Sequence, residues 1–199
     1  MRRWPRCDAV SIARAYDPVS ALSTDYNVGD VITKGFELET GYKLNNNWSL
    51  YGSLSYTDSK MQSDLRTSAT AFEATSGKQM PDTPKWMSGL RLGYNTGTWY
   101  GNADVKYTGT AYSTLVNDEA VDAATLVNLT AGYHFADSAF FKKPSIQLNV
   151  NNLFNRDYLR INSGSGSNFT TRALGAGGST PYYYVGSPRF VSVTLRSDF

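Results

Sequence analysis

Seven stretches of this chain alternate apolar and polar residues with a period of two, and no other feature constrains the fold as tightly. Period two belongs to β-strands, whose successive side chains point to opposite faces of a sheet. In the first stretch Phe36, Leu38, Tyr42 and Leu44 share one phase, with Glu37, Glu39 and Lys43 in the other. The second sets Trp48, Leu50, Leu54 and Tyr56 against Ser49, Tyr51, Ser53, Ser55 and Thr57. The third and fourth carry Trp86, Leu90, Leu92 and Tyr94, then Trp99, Ala103, Val105 and Tyr107, on their apolar phases. Val127, Leu129, Ala131, Tyr133 and Phe135 form the fifth, and Ile146, Leu148 and Val150 the sixth. In the sixth the phase slips around Asn152-Leu153-Phe154, which predicts a β-bulge. The seventh has Val191, Val193, Leu195 and Phe199. No long segment shows helical spacing, and no run reaches the ~18–20 apolar residues of a transmembrane helix. The chain is all-β.

The connections sort by length. Residues 45–47, 95–97 and 136–144 are short; 58–85, 111–124 and 159–185 are long; the two kinds alternate along the chain. A transmembrane β-barrel is built this way, with short periplasmic turns and long extracellular loops. Aromatic residues follow the same logic. Tyr42, Trp48, Tyr94, Trp99, Tyr133 and Phe135 flank the short turns on the apolar phase, and Tyr56, Trp86 and Tyr107 lie nearer the long loops. Two aromatic rings around an aliphatic waist fit the two headgroup levels of a bilayer. A mean hydropathy of only −0.39 is compatible with this, because half of each strand meets water. A soluble β-sandwich with a core rich in Tyr and Trp shares the alternation but has no reason to sort its loops.

Composition removes several function classes. The net charge is +2 and no basic cluster follows the opening Met1-Arg2-Arg3, so nucleic-acid binding has little electrostatic support. One cysteine, Cys7, and one histidine, His134, are too few for a disulfide, a zinc site or a histidine-paired catalytic set. Met1 to Arg6 has positive charge without an apolar stretch behind it, unlike a signal peptide.

Four segments, in order, resemble those of the TonB-dependent outer-membrane receptors. They are Gly35-Phe36-Glu37-Leu38-Glu39, Met80-Pro81-Asp82-Thr83-Pro84-Lys85, Asn149 through Tyr158 (Asn-Val-Asn-Asn-Leu-Phe-Asn-Arg-Asp-Tyr), and Gly186-Ser187-Pro188-Arg189 before the last strand. The resemblance implies an antiparallel transmembrane barrel of about 22 strands with a plugged lumen, of which about seven lie here. Residues 31–199 would be the C-terminal part of that barrel. Residues 1–30 would be an unassigned start and the tail of an extracellular loop. The resemblance further implies a Gram-negative outer-membrane location and active uptake of a scarce nutrient, foremost a ferric siderophore. The lipid bilayer, the ligand and the TonB complex would be its partners, and no cofactor or catalytic residue is implied. The final strand, with Val191, Val193, Leu195 and Phe199, is similar to the signal read by the barrel-assembly machinery. A plug domain and a TonB-contacting segment have no counterpart here, and an odd strand count departs from bacterial single-chain barrels. The chain therefore reads as a fragment whose TonB contact lies in missing N-terminal parts. A passive porin-like barrel and a soluble β-sandwich binding module stay open as alternatives.

Ligands of such receptors are held by extracellular loops. In the 159–185 loop, Arg160, Phe169, Arg172, Tyr182 and Tyr183 supply the cations and rings that stack on or pair with an anionic iron chelate. Asn117, Asp118, Glu119 and Asp122 offer oxygen ligands but lack an ordered calcium-loop spacing, and read as a solvated acidic loop. His134 reads as a hydrogen-bonding residue of the barrel's inner wall. Glu37, Glu39, Arg91, Asp104, Lys106, Arg196 and Asp198 read as charge ladders on that wall.

Overall fold

A computed structural model describes residues 7–17, 22–66, 72–138, 140–161 and 183–198, with side chains from residue 29 onward. In chain order the strands are β1 (Cys7–Asp17), β2 (Leu22–Lys43), β3 (Trp48–Met61), β4 (Leu65–Arg66), β5 (Phe72–Glu73), β6 (Trp86–Asn95) and β7 (Trp99–Thr108). They continue as β8 (Ala111–Tyr112), β9 (Ala120–Val121), β10 (Ala124–His134), β11 (Lys142–Asn151), β12 (Leu159–Ile161), β13 (Tyr183–Val185) and β14 (Phe190–Asp198). Eight of them form one antiparallel sheet in the order β1-β2-β3-β6-β7-β10-β11-β14, which is their order along the chain. The other six pair as two-stranded ribbons, β4 with β5, β8 with β9 and β12 with β13, within the three long connections.

Register turns the seven sequence phases into one surface. Leu50 pairs with Leu92, Leu92 with Ala103, Ala103 with Leu129, Leu129 with Val150 and Val150 with Val191. This apolar row crosses six strands of the sheet without a polar interruption. The aromatics stand in register as well. Phe36, Tyr56 and Trp86 are cross-strand neighbours near the long connections, with ring centroids 4.7–6.0 Å apart. Near the short turns, Trp48 meets Tyr94 at 4.7 Å, and Tyr133 meets Trp99 at 4.7 Å and Phe135 at 4.8 Å. Pairs of this kind add about 0.5–1.5 kcal/mol each beyond area burial.

Nothing among the described residues covers that face. Leu38, Leu90, Leu148, Val193 and Leu195 are all exposed. A soluble sandwich would bury them under a second sheet, because water does not tolerate so wide an apolar patch. Packing is instead confined to the long-connection end of the opposite face. There Val31, Met61, Leu65 and Leu115 form a small buried cluster with Met80 against it.

Two details of the sequence reading change. Within the stretch read as an unassigned start and the tail of an extracellular loop, residues 7–17 and 22–30 are extended: β1 pairs with Leu22 to Thr33 of β2 and adds an eighth strand. Strand β2 has 22 residues, whereas crossing a bilayer takes about 9–11, so its first half projects beyond any lipid. A segment outside the bilayer has no lipid-facing phase, so no alternation of period two marks it in the sequence. Its register shifts near Gly29, whose φ of 88° a side chain would resist and whose Cβ would overlap Ser63. The second correction concerns Asn152-Leu153-Phe154. These residues are not a bulge; β11 ends at Asn151 and Asn152, at φ 51°, turns the chain away.

Candidate functional site at the loop end of the sheet

The three long connections lean on one another through short polar contacts. Asn117, at φ 61°, reaches across to Gln79: its Oδ1 accepts the Gln79 N–H at 2.7 Å and its Nδ2 donates to the Gln79 carbonyl at 2.8 Å. The same amide donates to the Thr114 carbonyl at 3.1 Å, so it ties the 109–123 connection to the 62–85 connection. The Asp82 N–H donates to the Tyr112 carbonyl at 2.8 Å between the same two. The 62–85 connection is braced from within by Thr75, fully buried, which accepts the Leu65 N–H and donates to the Ser63 carbonyl, both at 2.9 Å. The third connection joins through Tyr183, whose hydroxyl lies 2.8 Å from Ser113 Oγ and donates to Glu119 Oε1 at 3.2 Å.

These contacts place the residues singled out from the sequence. Tyr183 is half-buried and its hydroxyl serves as a tether between connections. Arg160 is exposed on β12, opposite Tyr184 of β13. Phe169, Arg172 and Tyr182 lie outside the described residues. The acidic group turns out to be structural chemistry: Asn117 holds Gln79, Asp118 accepts the Thr114 hydroxyl at 2.7 Å and Glu119 accepts Tyr183. Ser113 and Gln79 were missed by the sequence reading. Neither residue type signals a partner 70 or 38 positions away.

Two of the four family-like segments meet in space. Asn152 is 5% exposed and spends its whole amide on backbone. Its Oδ1 accepts the Arg156 N–H at 2.8 Å, and its Nδ2 donates to the carbonyls of Arg156 at 2.9 Å and Ser187 at 3.0 Å. Asn155 Oδ1 accepts the Arg189 N–H at 2.8 Å. A Cβ on Gly186 would fall 2.2 Å from the Tyr158 ring, so only glycine lets that ring lie against the backbone. Together these contacts seat the segment after β11 on the segment before β14.

The polar face below the loops is a continuous wall. Arg91 on β6 forms an ion pair with Asp104 on β7, and Asn102 donates to the same carboxylate. Glu37, Glu39, Tyr51 and Lys106 line the same concavity of about 780 Å³. Nearer the short turns, Tyr100 stacks on His134 at 4.7 Å and donates to Gln147 Oε1 at 3.1 Å. The ion pair of Arg91 with Asp104 and the stack of Tyr100 on His134 are contacts between neighbouring strands of one wall.

One face is thus apolar and girdled, the other is wet, and docked loops crown one end. A family model described as "TonB dependent receptor-like, beta-barrel" matches residues 9–153. The chain belongs to this family. Among curated relatives, the ferrichrome outer membrane transporter/phage receptor of Escherichia coli (strain K12) is 28% identical over 137 residues, 66% of this chain and 17% of that protein. The vitamin B12 transporter BtuB of Photobacterium profundum is 26% identical over 133 residues, 67% of this chain and 19% of that protein. The chain spans about a fifth of the length of these relatives. The solved siderophore receptor PiuA of Acinetobacter baumannii superposes with a TM-score of 0.66 at 21% identity, covering 96% of this chain and 24% of that one. The TonB-dependent receptor barrel described here is therefore a Gram-negative outer-membrane protein. Its apolar face meets lipid and its polar face lines the lumen. Members of the family are receptors and transporters rather than enzymes.

Proposed function

We propose that the protein takes part in active uptake of a scarce nutrient, foremost a ferric siderophore, as the C-terminal portion of a larger plugged barrel. Short turns face the periplasm and the docked loops face outward, the arrangement of outer-membrane barrels. The observation that carries this reading is the convergence of three loops at one end of the wall, held by Asn117 on Gln79 and Tyr183 on Ser113 and Glu119. Loops fixed in this way present a preorganised rim instead of independent flaps, which lowers the entropy cost of gripping a ligand.

In the 159–185 connection, Arg160, Phe169, Arg172, Tyr182 and Tyr183 are the proposed ligand contacts, because guanidinium groups and rings suit an anionic iron chelate. Energy arrives from the TonB complex through parts of the receptor other than residues 31–199. The last strand, whose Val191, Val193 and Leu195 share the lipid-facing phase, is the segment offered to the barrel-assembly machinery. Uptake of radioactive iron as ferric siderophore, in cells with and without the receptor and with and without a proton gradient, tests the reading. Uptake should require both, and Arg160→Ala with Arg172→Ala should weaken ligand binding by about tenfold or more, as for lost charge-assisted hydrogen bonds. Iron uptake indifferent to the receptor would contradict it. Loss of cobalamin-dependent growth instead would favour a vitamin substrate, the class named for the Photobacterium relative.

A further inference from the structure

The lipid-facing surface is not uniform near its short turns. Ala131 of β10 stands between Gly101 of β7 and Leu148 of β11. Its short side chain floors a hollow of about 650 Å³ walled by Trp99, Tyr133, Phe135, Ile146 and Leu148. All these walls are apolar or aromatic, so hydrocarbon fills the hollow without stranding a polar group. Beyond its end the 135–141 connection carries Phe140, 82% exposed, and Phe141, 49% exposed, followed by Lys142 and Lys143. Aromatic rings beside cations at the end of a membrane-crossing element sit at headgroup level.

The two lysines differ. Lys142 pairs in register with Asp198, in phase with Arg196 on the lumen side, and its Nζ is 3.9 Å from Asp137. Between Lys142 and Ser145, β11 takes three steps where β14 takes two, from Asp198 to Arg196. The extra residue is a bulge, with Lys143 at φ 47° and its N–H held by Asp137 Oδ1 at 2.7 Å. Lys143 and Pro144 together stand opposite Ser197, in the phase of the lipid-facing Leu195. Bulges re-aim side chains in this way. Among the described residues no carboxylate lies within ion-pair distance of the Lys143 ammonium, whereas Lys142 has one.

We propose that the hollow and Lys143 form a binding site for one anionic phospholipid of the periplasmic leaflet. An acyl chain lies against Ala131 between Trp99, Tyr133 and Leu148. Lys143 holds the phosphate-bearing headgroup at the level of Phe140 and Phe141. Lys143 is three residues from Ile146, about 10 Å along a strand, so the cation sits one headgroup's reach beyond the wall of the hollow. A zwitterionic lipid would fill the hollow equally but bring no net charge to the lysine. Selectivity therefore resides in Lys143, and retention of any lipid resides in the hollow. The leaflet, though not the site itself, rests on the orientation proposed above.

The full receptor, delipidated in detergent and titrated with phosphatidylglycerol or phosphatidylcholine of identical chains, tests this by native mass spectrometry. Wild type should retain phosphatidylglycerol about fivefold better, the contribution of one lysine at an anionic surface. Lys143→Asn, which tolerates the left-handed backbone, should erase that preference, and Lys143→Arg should keep it. Ala131→Phe, which fills the hollow, should lower retention of both lipids. Equal retention of the two lipids by wild type, or a preference untouched by Lys143→Asn, overturns the proposal; so does undiminished retention by Ala131→Phe. Orientation is read apart from these, by labelling Asn46→Cys in intact cells with an impermeant maleimide. Absence of labelling supports the periplasmic leaflet, and labelling refutes it while the detergent measurement stands unchanged.

Discussion

At the scale of single residues, Asn152 does the most with the least. A non-glycine residue at φ 51° is uncommon, and asparagine is among the few that accept it. Its buried amide then closes three backbone hydrogen bonds. Asn152→Ala strands those groups in a site closed to water and adds backbone strain. The expected loss is about 2–4 kcal/mol of barrel stability, measured by urea unfolding in lipid vesicles. Asn152→Gly should lose about 1 kcal/mol less, since glycine accepts the angle freely. Equal stability of Asn152→Ala and wild type would contradict the role. The sequence marked this segment as family-like without disclosing its job. Its meaning depends on Ser187 and Arg189, more than 30 residues away, and only folding brings them together. The same limit hid Ser113 and Gln79, and with them the tether that Tyr183 forms between connections.

At the scale of elements, alternation was readable wherever one face meets hydrocarbon and the other water. All seven alternating stretches became strands of one sheet, with β2, β3, β6, β7, β10, β11 and β14 on the expected phases. Strand β1 and the first half of β2 were not readable, because a segment outside the bilayer has no lipid face to impose an alternation of period two. The two-residue ribbons in the loops were equally silent, being too short to show a period. Facing has an energetic test on β7. Val105 pairs with Leu90 and Val127 on the lipid side, whereas Asn102 pairs with Gly93 and Thr130 on the lumen side. Val105→Arg should cost about 2–4 kcal/mol in vesicle unfolding if it lies near the bilayer midplane. Asn102→Arg should cost far less, and equal costs would refute the assignment.

At the scale of the molecule, the sheet is a wall with a dry side, a wet side and a crowned end. In the described residues its edges at membrane level are β14 and the second half of β2, which β1 does not reach. An unpaired edge inside hydrocarbon costs several kcal/mol for each unsatisfied backbone group. The wall therefore belongs in a closed barrel, and transport is a property of that whole. What this portion contributes is a stretch of lumen lining, three docked loops and a long lipid contact. All of these depend on one claim, that the two phases of each strand see different solvents. Single cysteines placed in turn from Trp99 to Thr108 of the receptor in outer-membrane vesicles, each spin-labelled, test it most directly. Collisions with oxygen, which concentrates in lipid, should peak at 101, 103 and 105, and collisions with a water-soluble nickel chelate should peak at 102, 104 and 106. Accessibility without a period of two, or with the two phases exchanged, would contradict the account.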